Sequence, residues 1–238
     1  MILPNCRERF TGDDFHFIIQ TLSRSPNPPN AAGQENQNRA VSIASLLTDA
    51  EARDLILDDP RLVAALQSGD APLRISPQCY FYLLVRHVLK DRFDRSLCDY
   101  IAAVLEAFSR TAGMRSPANG AEGPVQYLSD MLLALRDAPP KTEFLIRVHV
   151  GNYSLFITGL FPRVVARRVA RGAPGSRFYE ELGRASYRIA ASDRVARQCR
   201  LEEIYGGLAE GFAEARMALN RMAETLLKLE ISPREPPI

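Results

Sequence analysis

The chain has 238 residues, 46% of them hydrophobic and 24% charged, an ordinary globular composition able to bury a sizeable core. A formal charge of +2 is too small to single out nucleic acid or a membrane as a partner. Lysine occurs only at positions 90, 141 and 228, so nearly every cation is an arginine, and a high local Arg count carries less weight for that reason.

Cys6, Cys79, Cys98 and Cys199 are far apart and form no C-x-x-C pair. They read as free thiols in a reducing compartment rather than as a disulfide framework. The opening residues lack the charged-then-apolar order of a secretory signal, which makes the cytoplasm the expected location.

In chain order, Thr11 followed by Asp13 and Asp14 marks a helix start, with a hydroxyl cap and two carboxylates against the helix dipole. His16 reads as a half-exposed helix residue. Residues 23–39, rich in Pro, Asn, Gln and Ser, read as a flexible linker. A helical segment follows over Val41 to Leu47. Thr48 and Glu51 have capping-box spacing and open a helix through Leu57, and Asp59-Pro60 opens another to Leu66. Ser76-Pro77 starts a helix expected to turn Tyr80, Leu83, Leu84, His87 and Val88 inward. Arg95 to Thr111 is amphipathic, with Leu97, Tyr100, Ile101, Val104, Leu105 and Phe108 at helical spacing. Residues 112–123, with their Gly, Pro and Asn, read as a surface loop, and a helix is expected over Pro124 to Leu135.

Glu143 to Pro162 is the longest apolar run. As a helix it has no charged face, which describes a helix enclosed by others. Its length would also allow a membrane span, but Arg147 and His149 are costly in hydrocarbon, so no membrane role is expected. Arg147, His149, Asn152 and Tyr153 interrupt the apolar pattern and must be paired or hydrogen-bonded if buried. Arg147 falls on the face opposite His149 and Tyr153, so the two faces cannot readily line one pocket.

The helical segment after Pro162 carries Arg163, Arg167 and Arg171 along one face, with Arg168 beside them. Gly172 to Gly175 breaks the chain and Ser176 is the expected cap of the next helix, where Tyr179, Gly183 and Tyr187 share a face. Ten arginines against three acids between 163 and 200 give that segment 10 − 3 = +7, leaving 2 − 7 = −5 for the remainder. From 194 to 229 no proline intervenes, and Leu201, Ile204, Leu208, Phe212, Ala215, Leu219, Met222, Leu226 and Leu229 form a heptad-like seam suited to a long C-terminal helix. Gly206, Gly207 and Gly211 weaken it. Residues 232–238, with three prolines, read as a disordered tail.

The fold class expected is all-α: one bundle of about eight to ten helices around a buried central helix near 144–161, with a long C-terminal helix near 194–229. No P-loop, dinucleotide-binding, zinc-protease, nucleophile-elbow or di-iron spacing occurs, so no catalytic residue, metal ligand or cofactor is nominated. The first reading is a non-enzymatic interaction or regulatory module, dimeric through the C-terminal seam, with a protein partner open. The second is a small-molecule or cofactor pocket beside the central helix, using His149, Asn152, Tyr153, Arg147, Tyr179 and Tyr187. The third is nucleic-acid or anionic-surface binding through Arg163, Arg167, Arg168 and Arg171.

Overall fold

A computed structural model describes residues 1–24, 32–68, 74–110 and 128–227. Those residues form thirteen α-helices and a single 3-10 turn, Arg7–Arg9, with no strand among them. The all-α class holds, with more and shorter helices than the periodicity predicts. By compactness the chain divides into an N-terminal unit, Asn5–Ala103, and a C-terminal unit of Val104–Ile238 with Met1–Pro4.

The N-terminal unit contains α1 (Gly12–Ser23), α2 (Ala32–Leu46), α3 (Ala50–Ile56), α4 (Pro60–Gln67), α5 (Pro77–Leu89) and most of α6 (Arg95–Phe108). Thr11 caps α1 in a full capping box with Asp14. The fully buried Asp14 carboxylate also accepts from the Ser76 backbone N–H and hydroxyl at 2.7 and 2.6 Å, which ties the starts of α1 and α5 together. α3 is capped by Asp49, which accepts from Ala52, while the Thr48 hydroxyl turns back to Ser45; the expected Thr48–Glu51 box does not form. α5 buries Cys79, Tyr82, Leu83, Leu84, Val85, Arg86 and Leu89; of the residues expected inward, Leu83 and Leu84 are buried, Tyr80 and Val88 half-buried and His87 exposed. Arg86, in place of His87, turns in to meet Asp58 at 2.8 Å. Asp58 also takes Arg95 at 2.7 Å, and Arg7 bridges Asp54 and Asp99.

Of the segment read as a linker, residues 25–31 lie outside the described residues, whereas 32–39 form the first part of α2. The expected loop at 112–123 and tail at 232–238 also lie outside them.

The C-terminal unit is built on α8 (Pro140–Leu160), of which every residue from Val148 to Leu160 is buried. Pro140 at its first position begins it earlier than the apolar run alone predicts. The end of α6 and α7 (Leu128–Arg136) precede it, and α9 (Pro162–Val169) follows a 97° bend at Phe161-Pro162. Pro162 cannot donate to the α8 ladder, so it ends one helix and starts the next. No single described helix is long and apolar enough to cross a membrane.

α10 (Ser176–Ala191) and α13 (Phe212–Thr225) make the most extensive contacts with α8. Ser176 is the first residue of α10 and not its cap; Gly175 stands there without a side-chain bond. Small residues set the approach. A Cβ at Gly151 would lie 2.8 Å from the Tyr187 ring, one at Gly159 2.9 Å from Leu219, and one at Gly183 2.6 Å from Phe212. The Asn220 amide donates to the carbonyls of Thr158 and Gly159, both at 2.7 Å, and satisfies the open end of α8.

The expected single C-terminal helix is three helices: α11 (Arg194–Gln198), α12 (Glu202–Glu210) and α13. α11 ends with Arg200 in the left-handed region at φ 56°, where the Leu201 N–H returns to Ala196 O at 2.9 Å. Gly211 separates α12 from α13. The seam survives the breaks from Leu201 to Met222; beyond it Leu226 is half-buried and Leu229 lies outside the described residues. Leu201, Ile204, Leu208, Phe212, Ala215, Leu219 and Met222 are all buried within the chain. These side chains are committed to the protein's own core.

Candidate functional site

The six residues of the expected pocket part company. Arg147 is ion-paired to Glu143 one turn earlier, at 2.7 Å. His149 stacks on Phe108 with ring centroids 5.3 Å apart, and Phe156 and Phe161 extend that aromatic cluster. Tyr187 donates to the Asn152 amide oxygen at 2.7 Å, beneath the ring of Tyr205. Burial pushes the Tyr187 phenol well above its ordinary pKa, so it is a hydrogen-bond donor at any ordinary pH. These three arrangements hold the fold together.

Tyr153 and Tyr179 do meet, and they meet around Arg168. Tyr153 comes from α8, Tyr179 from the first turn of α10, and Arg168 from α9, which the Pro162 corner turns back toward them. Arg168 Nη1 lies 3.4 Å from the Tyr153 hydroxyl, and Tyr179 interacts electrostatically with the same guanidinium. Both tyrosines are about 95% buried (4% and 5% exposed) and Arg168 is half-buried. Burial works against the Arg168 charge, but the two phenols outweigh it and raise its pKa. Burial raises the Tyr179 phenol, with Tyr153 adding to that and Arg168 opposing it. The sequence placed these three residues in two separate sets; the only hint that they converge was Pro162.

The other arginines of the anion set face solvent: Arg163, Arg167 and Arg171 are all exposed. α9 contains no acidic residue. The three acids between 163 and 200 are engaged elsewhere. Glu180 holds Arg216 at 3.1 Å, Glu181 holds Arg177 at 2.8 Å, and Asp193 caps α11 through Val195 N. Arg163, Arg167, Arg188, Arg194, Arg197 and Arg200 consequently have no carboxylate partner among the described residues, and all six are exposed. The N-terminal unit is the opposite case, with Arg7, Arg61, Arg86 and Arg95 each paired to aspartate.

None of the four cysteines is in a disulfide, three of them are buried, and burial lifts the Cys98 thiol to about 11, which leaves it un-ionised at neutral pH. No group of three or more His, Cys, Asp or Glu placed to hold a metal ion occurs among the described residues. Compared with protein-family models, curated proteins and solved structures, the chain matches none.

Proposed function

We propose that the protein is a non-enzymatic helical module that docks on a polyanion, nucleic acid or an anionic surface, through the arginines of α9, α10 and α11. The observation that supports this reading is the set of six exposed arginines without acidic partners, in a segment whose three carboxylates are already committed. Exposed like charges repel one another and contribute nothing to folding, whereas a polyanion releases counterions when they bind. Two of the six lie on α9, one near the end of α10 and three on or just after α11. A reducing, cytoplasmic setting accords with four cysteines that form no disulfide.

The test is fluorescence anisotropy with single- and double-stranded oligonucleotides at about 50 and 200 mM salt, beside sedimentation with phosphatidylserine vesicles. Wild type is expected to bind one of them with strong salt dependence, and Arg163→Glu with Arg167→Glu to weaken it on the order of tenfold or more. Absence of binding to any of the three at the lower salt would overturn the reading.

A further inference from the structure

The exposed arginines call for an anionic partner, and the apolar side chains among them bear on its kind. We infer that the partner of this segment is the surface of an anionic bilayer, which takes a stripe of apolar side chains from α10 between its lipids. The inference rests on the reading above and narrows it to one class of anion.

On α10, at 100° per residue, Tyr179, Gly183, Ser186, Tyr187 and Ala190 occupy about 100° of arc, and all five are buried. Beside them, within roughly 60°, run Phe178, Leu182, Ala185 and Ile189, at the i, i+4, i+7, i+11 spacing of a packing stripe. Phe178 and Ile189 are 41% and 45% exposed, Ala185 is exposed and Leu182 is half-buried. The apolar arc of α10 is thus wider than the part that α8 and α12 cover, and its open edge runs for roughly 16 Å. Val169, 44% exposed, adds to it from the end of α9, since a Cβ at Gly175, the cap of α10, would lie 3.7 Å from its Cγ2.

Charge argues against a second copy as the occupant, because arginine would face arginine across the contact. α10 spends its two acids, Glu181 on Arg177 and Glu180 on Arg216, and leaves Arg188 next to Ile189 with no carboxylate among the described residues. Nucleic acid would use the arginines but gain little from Val169 and Ile189, whose aliphatic side chains neither bond to phosphate nor offer a ring for a base to stack on. Four side chains in single file cover only a fraction of the roughly 800 Å² that each partner of a stable protein interface buries. A bilayer sets no such condition: its headgroups receive guanidinium groups, and apolar side chains enter one at a time among the acyl chains. No single described helix is long and apolar enough to cross it, so the contact is interfacial.

The chain contains no tryptophan, so Phe178→Trp reports from the stripe alone. With vesicles of phosphatidylserine and phosphatidylcholine in equal parts, its emission is expected to shift to the blue and to be quenched by brominated acyl chains, and phosphatidylcholine alone should do neither. In co-sedimentation, Phe178→Ser/Ile189→Ser, with folding checked by circular dichroism, should bind the mixed vesicles about fivefold or more below wild type. Wild-type vesicle affinity in the folded double variant, or Phe178→Trp emission that vesicles leave unmoved, overturns the inference and leaves the anion reading standing. Oligonucleotide binding without vesicle binding does the same, whereas failure to bind either removes both. A dimer that the double variant dissolves assigns the stripe to a second copy and overturns the inference as well. Should the double variant fail to fold, the Phe178→Trp emission decides.

Discussion

Arg200 shows how a single residue can end a helix that periodicity would continue. Its φ of 56° places an L side chain in the left-handed region, where Cβ crowds the following carbonyl. The bonds from Leu201 N to Ala196 O and from Arg200 N to Arg197 O are those of a Schellman turn, whose usual occupant at this position is glycine. Arg200→Gly is therefore expected to stabilise the protein by about 0.5–1 kcal/mol, measured by urea denaturation. No letter code announces such a turn when the residue is arginine, and for this reason the sequence pattern ran the helix through it. At Asn152 and Tyr187 the position is different. Asn152 stood out as a polar group in an apolar run and Tyr187 as a pocket candidate on a later helix, and they bond to each other. Which of several such groups would pair depends on the rotation of α10 about its axis against α8, and a single-helix pattern does not encode that.

Among the elements, close approach decides which glycines matter. A methyl at Gly183 would press on Phe212 at 2.6 Å and on Ser154 Cβ at 3.0 Å, so three helices would have to part to admit it. Gly183→Ala should cost about 1–3 kcal/mol. Gly206 lies within α12 with nothing inside 4 Å of its missing Cβ, and Gly206→Ala should gain about 0.5–1 kcal/mol. Thermal denaturation of the two variants beside wild type checks both signs. The seam over Leu201 to Met222 was legible because an apolar stripe records a buried face whether or not the helix is continuous. Its partner was not legible, since packing against α8 and pairing with a second copy leave the same stripe. Likewise α8 was recognisable as an enclosed helix from its lack of a charged face, while the turn that brings Arg168 to Tyr153 depends on a bend angle that Pro162 permits but does not specify.

Across the whole molecule, arginine is used in two ways. In the N-terminal unit Arg7, Arg61, Arg86 and Arg95 are held by aspartates. Burial would raise the Asp58 carboxyl, but hydrogen bonds from Arg86 and Arg95 outweigh burial and hold it below the usual carboxylate range. A carboxyl lowered in the folded state contributes stability above its unfolded pKa, and that contribution is lost as pH falls through the folded value. Asp58→Asn should thus be less stable at pH 7, yet lose less Tm than wild type between about pH 4 and pH 2, followed by circular dichroism. Asp99, whose carboxyl burial raises, works in the opposite direction and blunts the wild-type slope. Along α9 to α11 and at Arg200, six guanidinium groups are left to solvent, which the sequence showed as a charge surplus without showing whether folding would neutralise it.

The bond from Asn220 to the end of α8 also bears on the order in which the chain can be finished. Gly159 and Asn220 are 61 residues apart, so α8 leaves the ribosome well before the helix that closes over it. At about 5–20 residues per second that interval is roughly 3–12 s. Throughout it the longest of the described helices lacks its last covering layer and its terminal carbonyls lack their donor. The nascent C-terminal unit therefore carries an incompletely covered α8 for the whole of that interval.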